Sequence, residues 1–221
     1  LGLCIIAENG ENMLLDFDND ICGVQPDEVD RCIRKMTGAK YVIAGFAQAV
    51  ESGLQACRTG KELGMTTLLN PSPLRVGMKL ERMPYVDYLV VNEGESYELL
   101  GIDDKEDLGW EKLGCLLIEK YGCSNIVMTL GGKGSAAVTA DEAFMCPGVK
   151  VEMVDETGAG DGFLGAITYC MNEGKTLKEA MAWANVYAAY TVTKQGSLEH
   201  YPWKAQIPSI FKDLGRADLL F

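Results

Sequence analysis

The residues best suited to do chemistry lie in the stretch Val151–Thr168, V-E-M-V-D-E-T-G-A-G-D-G-F-L-G-A-I-T. It opens on a short apolar run, passes through Gly158-Ala159-Gly160, and continues into Phe163, Leu164, Ala166 and Ile167 at helical spacing. A turn of small residues between a strand and a helix leaves the first N–H groups of that helix without partners. The helix dipole adds partial positive charge at the same spot. Such a place binds anions, most often phosphate. Asp161 stands at the mouth of the same helix. A carboxylate repels an anion, so binding alone does not explain it. It does suit a base that takes the proton of a hydroxyl attacking a phosphate. The competing reading is a plain helix start, with Asp161 stabilising the first turn. Two common phosphate-binding patterns do not fit. The dinucleotide pattern G-x-G-x-x-G has Phe163 at its third glycine. The P-loop needs G-K-[ST], and Gly132-Lys133 is followed by Gly134.

The elements that must position this stretch follow from periodicity. Leu3–Ala7 and Met13–Phe17 are apolar runs separated by Glu8-Asn9-Gly10-Glu11-Asn12, a hairpin signal. The pattern predicts helices over 26–36, 50–63, 93–100 and 110–121, and strands over 41–44, 66–69, 88–91 and 126–130. Gly64 stops the helix before it, and Asn70-Pro71-Ser72-Pro73 cannot continue a regular element. Strands alternating with helices predict a mostly parallel sheet with helices on both faces, with ligands beyond the C-terminal strand ends. From Gly131 the rhythm changes to edge strands over 135–139 and 143–146, then a strand over 151–154 and the helix that starts near Asp161 and runs to about Glu173. Thr176-Leu177-Lys178-Glu179 is a capping box for a helix to about Lys194, and a last helix is expected near 205–214.

Composition narrows the function classes. With 221 residues, 48% of them hydrophobic, the chain can bury one sizeable core, and one domain is expected. A net charge of -12 argues against a nucleic-acid or anionic-membrane surface, but not against one bound nucleotide. No apolar run is long enough to span a bilayer, and the start lacks the features of a signal peptide. The eight cysteines are dispersed, which suggests reduced thiols in a cytoplasmic protein. One histidine and no paired cysteine spacing make a zinc site a poor expectation. The first residue is Leu, not Met, as a chain lacking a front piece would show.

The segment Asp155-Glu156-Thr157-Gly158-Ala159-Gly160-Asp161 resembles the D-T-x-G-A-G-D signature of the ribokinase-like (PfkB-type) carbohydrate kinases. Further similarities follow in the family's order along the chain, and ribokinase itself is the nearest pattern. The resemblance implies a three-layer α/β/α fold over residues 1–221, with the hairpin of 1–18 in a lid or at the sheet edge. It implies ATP-dependent phosphorylation of a sugar hydroxyl, Asp161 as base and the N–H groups of Gly158, Ala159, Gly160 and Asp161 as the anion hole. Asn92 and Glu95 resemble the family's N-x-x-E element, which helps hold Mg²⁺ and the phosphates; an Asn N-cap with acids in the first turn is the alternative. Thr129, Gly131, Gly132, Lys133 and Gly134 resemble the nucleotide-binding loop, against a plain β-turn, with Lys133 either on phosphate or solvated. Asn185 matches a position near the adenine ring, against an exposed helix face. Thr191, Lys194, Gly196 and His200 resemble a loop around a monovalent cation such as K⁺, with Asp155 and Thr157 on its other side. His200 stands where ribokinases tend to have a small hydroxyl residue, and as the lone histidine it also reads as a surface residue.

The pattern departs at the front. The family's early Gly-Gly sugar motif and early Asp have no match, and Phe46-Ala47-Gln48 stands where ribokinases place a sugar-touching Glu. The chain therefore reads as N-terminally incomplete, with the phosphate half present. Two expectations follow: a sugar kinase acting as a homodimer, or a nucleotide-binding remnant or regulatory module without transfer. Exposed sheet edges favour association in either case.

Overall fold

The structure, a computed structural model, describes the backbone of residues 2–6 and 12–16, and residues 23–47, 49–74, 78–196 and 198–221 in full. Strands β1 (Gly2–Ile6) and β2 (Asn12–Asp16) pair antiparallel, with Gly2 opposite Asp16 and Ile6 opposite Asn12. The Asn9-Gly10 turn expected between them lies outside the described residues, as does Gln48.

Contacts group the chain into two compact units: Asn19–Leu130 with Ala136–Phe144, and Leu1–Asp18 with Gly131–Ser135 and Met145–Phe221. A six-stranded sheet has the order β3-β4-β5-β6-β7-β8. Its strands are β3 (Tyr41–Gly45), β4 (Thr66–Asn70), β5 (Tyr88–Asn92), β6 (Asn125–Thr129), β7 (Gly134–Val138) and β8 (Ala143–Pro147). The first four are parallel, with register partners Gly45 and Asn70, Leu69 and Leu89, and Asn92 and Thr129. The apolar runs of β4, β5 and β6 are buried without alternation, as strands covered on both faces require. Thr139 N–H donates to Glu142 O at 2.9 Å, so the chain doubles back between β7 and β8. β8 alternates exposed and buried residues, which marks a one-sided edge.

The first unit holds helices α1 (Pro26–Ile33), α2 (Val50–Glu62), α3 (Glu93–Leu100) and α4 (Trp110–Tyr121). Its core includes Phe46, Leu69, Leu89, Leu113, Leu117, Ile126 and Met128, all 1% exposed or less. The second unit holds α5 (Ala159–Asn172), α6 (Leu177–Thr191) and α7 (Ile207–Asp213). There Phe163, Ile167 and Cys170 of α5 and Met181 and Ala184 of α6 are buried, as is Phe211 of α7. Thr176 caps α6 through the expected box, its Oγ1 accepting from Glu179 N–H.

Two helix ends and one expected strand are corrected. The helix opened by Pro26 ends at Ile33 rather than Met36, and α6 ends at Thr191 rather than near Lys194. Val151–Val154 is not a strand. Met153 and Val154 are exposed, and Val154 N–H donates to Val192 O at 2.8 Å instead of joining a sheet ladder. An apolar run gives a strand only when a neighbouring edge accepts its backbone, and here that partner is the chain just after α6.

Candidate active site

Gly158 precedes the first turn of α5 with φ 81°, in the left-handed region that glycine enters without a Cβ penalty. Its position turns the chain so that the helix begins without a side-chain cap. Ala159 N–H closes a turn onto Glu156 O at 3.1 Å, and Gly162 N–H donates to Gly158 O at 2.9 Å. Among the described residues, the N–H groups of Gly158, Gly160 and Asp161 have no acceptor. Asp161 is exposed in that first turn, and its carboxylate makes no hydrogen bond among the described residues. It forms one wall of a cavity of about 410 Å³ whose other walls include the rings of Tyr169, Trp183, Tyr187, Tyr201 and Phe221. Free amides at a dipole's positive end and an uncommitted carboxylate thus occupy one turn of helix.

Asp155 is fully buried. Its Oδ1 accepts from Thr157 N–H at 2.9 Å and Thr157 Oγ1 at 2.6 Å, and its Oδ2 accepts from Gly196 N–H at 2.8 Å. Burial on its own would raise the carboxyl, but these donors outweigh it and hold it below the usual carboxylate range. Asp155 thus fastens the approach to the glycine turn before α5 to the loop after α6, which also accepts from Val154 and Asp155 N–H at Val192 O. The structure brings Asp155, Thr157 and Gly196 together. His200 flanks them, its Cδ2 3.4 Å from where a Cβ on Gly196 would stand. Thr191 is buried and donates to Tyr187 O at 3.0 Å, and Lys194 is exposed.

Gly131–Lys133 form a short 3-10 turn that stays exposed. Gly134 is buried with φ 111°, and a Cβ there would fall 2.2 Å from Cys146 O. The close approach of β8 therefore fixes the end of this loop, and Gly148 N–H donates to Lys133 O at 3.0 Å. Asn185 is 6% exposed, so its helix face is not a solvated one. Its Nδ2 donates to Cys146 O at 2.9 Å and Pro147 O at 3.2 Å. Gly134 and Asn185 hold the same strand end, and the Asn185 amide nitrogen faces main chain.

In the other unit, Asn92 and Thr129 are register partners at the C-terminal ends of β5 and β6. Asn92 caps α3: its Oδ1 accepts from Glu95 N–H at 2.7 Å, and Glu95 Oε2 accepts from Asn92 N–H at 2.8 Å. The N-cap alternative is thus realised, and Glu95 Oε1 remains outside the box. Among the described residues no cluster of three or more His, Cys, Asp or Glu is placed to hold a metal.

The aromatic walls around Asp161 were not singled out from sequence. The only signal was Trp183 and Tyr187 at i and i+4, which reads equally as core. Their rings stack at 5.7 Å.

The pfkB family carbohydrate kinase profile matches residues 3–204. The chain is 28% identical over 199 residues to a deoxyribokinase of Salmonella typhi, covering 89% of this chain and 64% of that enzyme. It therefore spans less than two thirds of that relative's length. The solved ribokinase of Thermotoga maritima is 25% identical with a TM-score of 0.75, over 96% of this chain and 69% of that one. The solved Arabidopsis thaliana ribokinase, complexed with ribose and ATP, is 22% identical with a TM-score of 0.73, over 96% and 68% of the two chains. The fold is the ribokinase-like three-layer α/β/α class with a mostly parallel sheet. With the profile covering nearly all of its length and the glycine turn and carboxylate in place, the chain belongs to the PfkB family of carbohydrate kinases.

Proposed function

We propose that this chain carries the phosphate-handling part of an ATP-dependent carbohydrate kinase, organised as one ribokinase-like domain over residues 1–221. The observation that carries the reading is the α5 N-terminus, where unpartnered amides and the unbonded Asp161 carboxylate share one turn. In this reading Asp161 accepts the proton of a sugar hydroxyl. The N–H groups of Gly158, Gly160 and Asp161 stabilise charge on the transferring phosphoryl group, and Ala159 contributes through its peptide plane. Phosphoryl transfer asks mainly for positioning and charge stabilisation, and fixed amides supply both. ATP lies along Thr129, Gly131, Gly132, Lys133 and Gly134, with Asn185 supporting that loop through β8. Asn92 and Glu95 would hold Mg²⁺, which neutralises phosphate charge when bound. Asp155, Thr157, Thr191, Lys194, Gly196 and His200 form the surroundings of a K⁺ site. The buried Asp155 charge, with no basic side chain paired to it among the described residues, supports a cation there.

Sugar and ATP are the partners in this reading, in the cytoplasm. The charge of -12 disfavours nucleic acid and anionic membrane. β3 ends the strand order with Ile43 48% exposed, which supports a homodimer. The test is ATP-dependent transfer to ribose and deoxyribose by the purified protein, alongside ATP binding. Transfer supports the kinase reading. ATP binding without transfer supports the nucleotide-binding module, and neither would sink both.

A further inference from the structure

Tyr201 belongs to none of the motifs above, yet it touches the centre of the anion hole. Its hydroxyl donates to Gly158 O at 2.7 Å, and the same carbonyl accepts Gly162 N–H at 2.9 Å. The Tyr201 ring lies against Gly162, where a Cβ would come within 3.3 Å of its Cε1 and 3.2 Å of Tyr187 Cε1. Tyr201 also walls the cavity beside Asp161. The Gly158 carbonyl and the Ala159 N–H belong to one rigid peptide plane. That plane is gripped on its N–H side by Glu156 O and on its carbonyl side by Tyr201 and Gly162. The next two peptides carry the unpartnered N–H groups of Gly160 and Asp161.

We propose that Tyr201 is a positioning residue of the anion hole: its hydroxyl fixes the Gly158–Ala159 peptide from which the free amides of Gly160 and Asp161 project. The assignment of the bound anion to a transferring phosphoryl group rests on the proposed function, but the clamp itself does not. Burial pushes the Tyr201 phenol up to about 12, with the Asp161 charge and Tyr187 adding to it. Its role is to hold geometry.

The test is Tyr201→Phe, which keeps the ring against Gly162 and removes only the hydroxyl. Inorganic phosphate is titrated while the backbone amide resonances of Gly160 and Asp161 are followed by NMR, and transfer kinetics are measured in parallel. The wild-type amides should shift saturably with phosphate. In Tyr201→Phe, phosphate affinity at those amides should fall roughly tenfold, the scale of one lost hydrogen bond. Turnover should fall by about tenfold or more with the acceptor KM unchanged. A structural bond alone would lower the melting temperature and leave phosphate affinity and turnover unchanged; that result, or wild-type amides that ignore phosphate, overturns the proposal. If phosphate binds with the predicted dependence on Tyr201 but no transfer is found, the kinase reading falls and the clamp stands. If transfer is present and Tyr201→Phe leaves both readouts unchanged, the clamp falls and the kinase reading stands.

Discussion

Asp155 and Asp161 belong to one short segment, and their surroundings give them different work. Asp155 is buried and accepts three hydrogen bonds, whereas Asp161 is exposed and accepts none among the described residues. A carboxylate that is already saturated holds structure, while one with free lone pairs can take a proton. Because the folded Asp155 carboxyl lies below its unfolded value, its stabilisation is complete above an unfolded pKa of about 3.9 and is lost as pH falls through the folded value. Asp155→Asn should therefore flatten the acid side of the stability profile, measured as the urea midpoint against pH. An unchanged acid slope would mean that Asp155 is not held as described. The glycine at 158 is a residue-scale requirement too. Gly158→Ala places a Cβ at φ 81° and should cost about 1–2 kcal/mol in unfolding free energy, read from urea melts.

At the scale of elements, the site depends on how strand ends are fixed. Asn185 on α6 and Gly134 at the start of β7 both hold the end of β8. Asn185→Leu leaves the Cys146 and Pro147 carbonyls without those donors and should cost about 1–3 kcal/mol. If the Gly131–Gly134 loop binds nucleotide, the same substitution weakens ATP binding as well, and calorimetry reads both. This is also where sequence reading worked and where it did not. The parallel strands β4, β5 and β6 were legible because they are buried on both faces and so carry unbroken apolar runs. The Thr176 capping box and the glycine turn before α5 were legible because their geometry is local. Val151–Val154 misled because a strand needs a long-range partner that composition does not encode. Asn185 was placed on the right helix, but its burial against β8 depends on residues far away in the chain. Tyr201 was missed for the same reason: its contacts with Gly158 and Gly162 bridge segments that only the fold brings together.

For the molecule as a whole, composition predicted a protein of reduced thiols, and the described cysteines are all unpaired. Cys57 and Cys170 are buried, and burial pushes each thiol up to about 12; Cys32 and Cys115 are exposed. Among the described cysteines, Cys32 and Cys115 should react with a thiol reagent in the folded protein, and Cys57 and Cys170 only on unfolding. Peptide mapping after labelling checks this, and fast labelling of Cys57 or Cys170 would contradict the packing. Among the described residues β3 ends the strand order, and pairing of that edge with a second copy would give twice the chain mass in light scattering. The family profile covers residues 3–204, while the proposed chemistry rests on one helical turn within them. The most direct test of that turn is the turnover of Asp161→Asn against the wild type, with ATP affinity measured on both. The account predicts turnover lower by about 10²–10⁴-fold with ATP affinity nearly unchanged; a variant that turns over as fast as the wild type would contradict it.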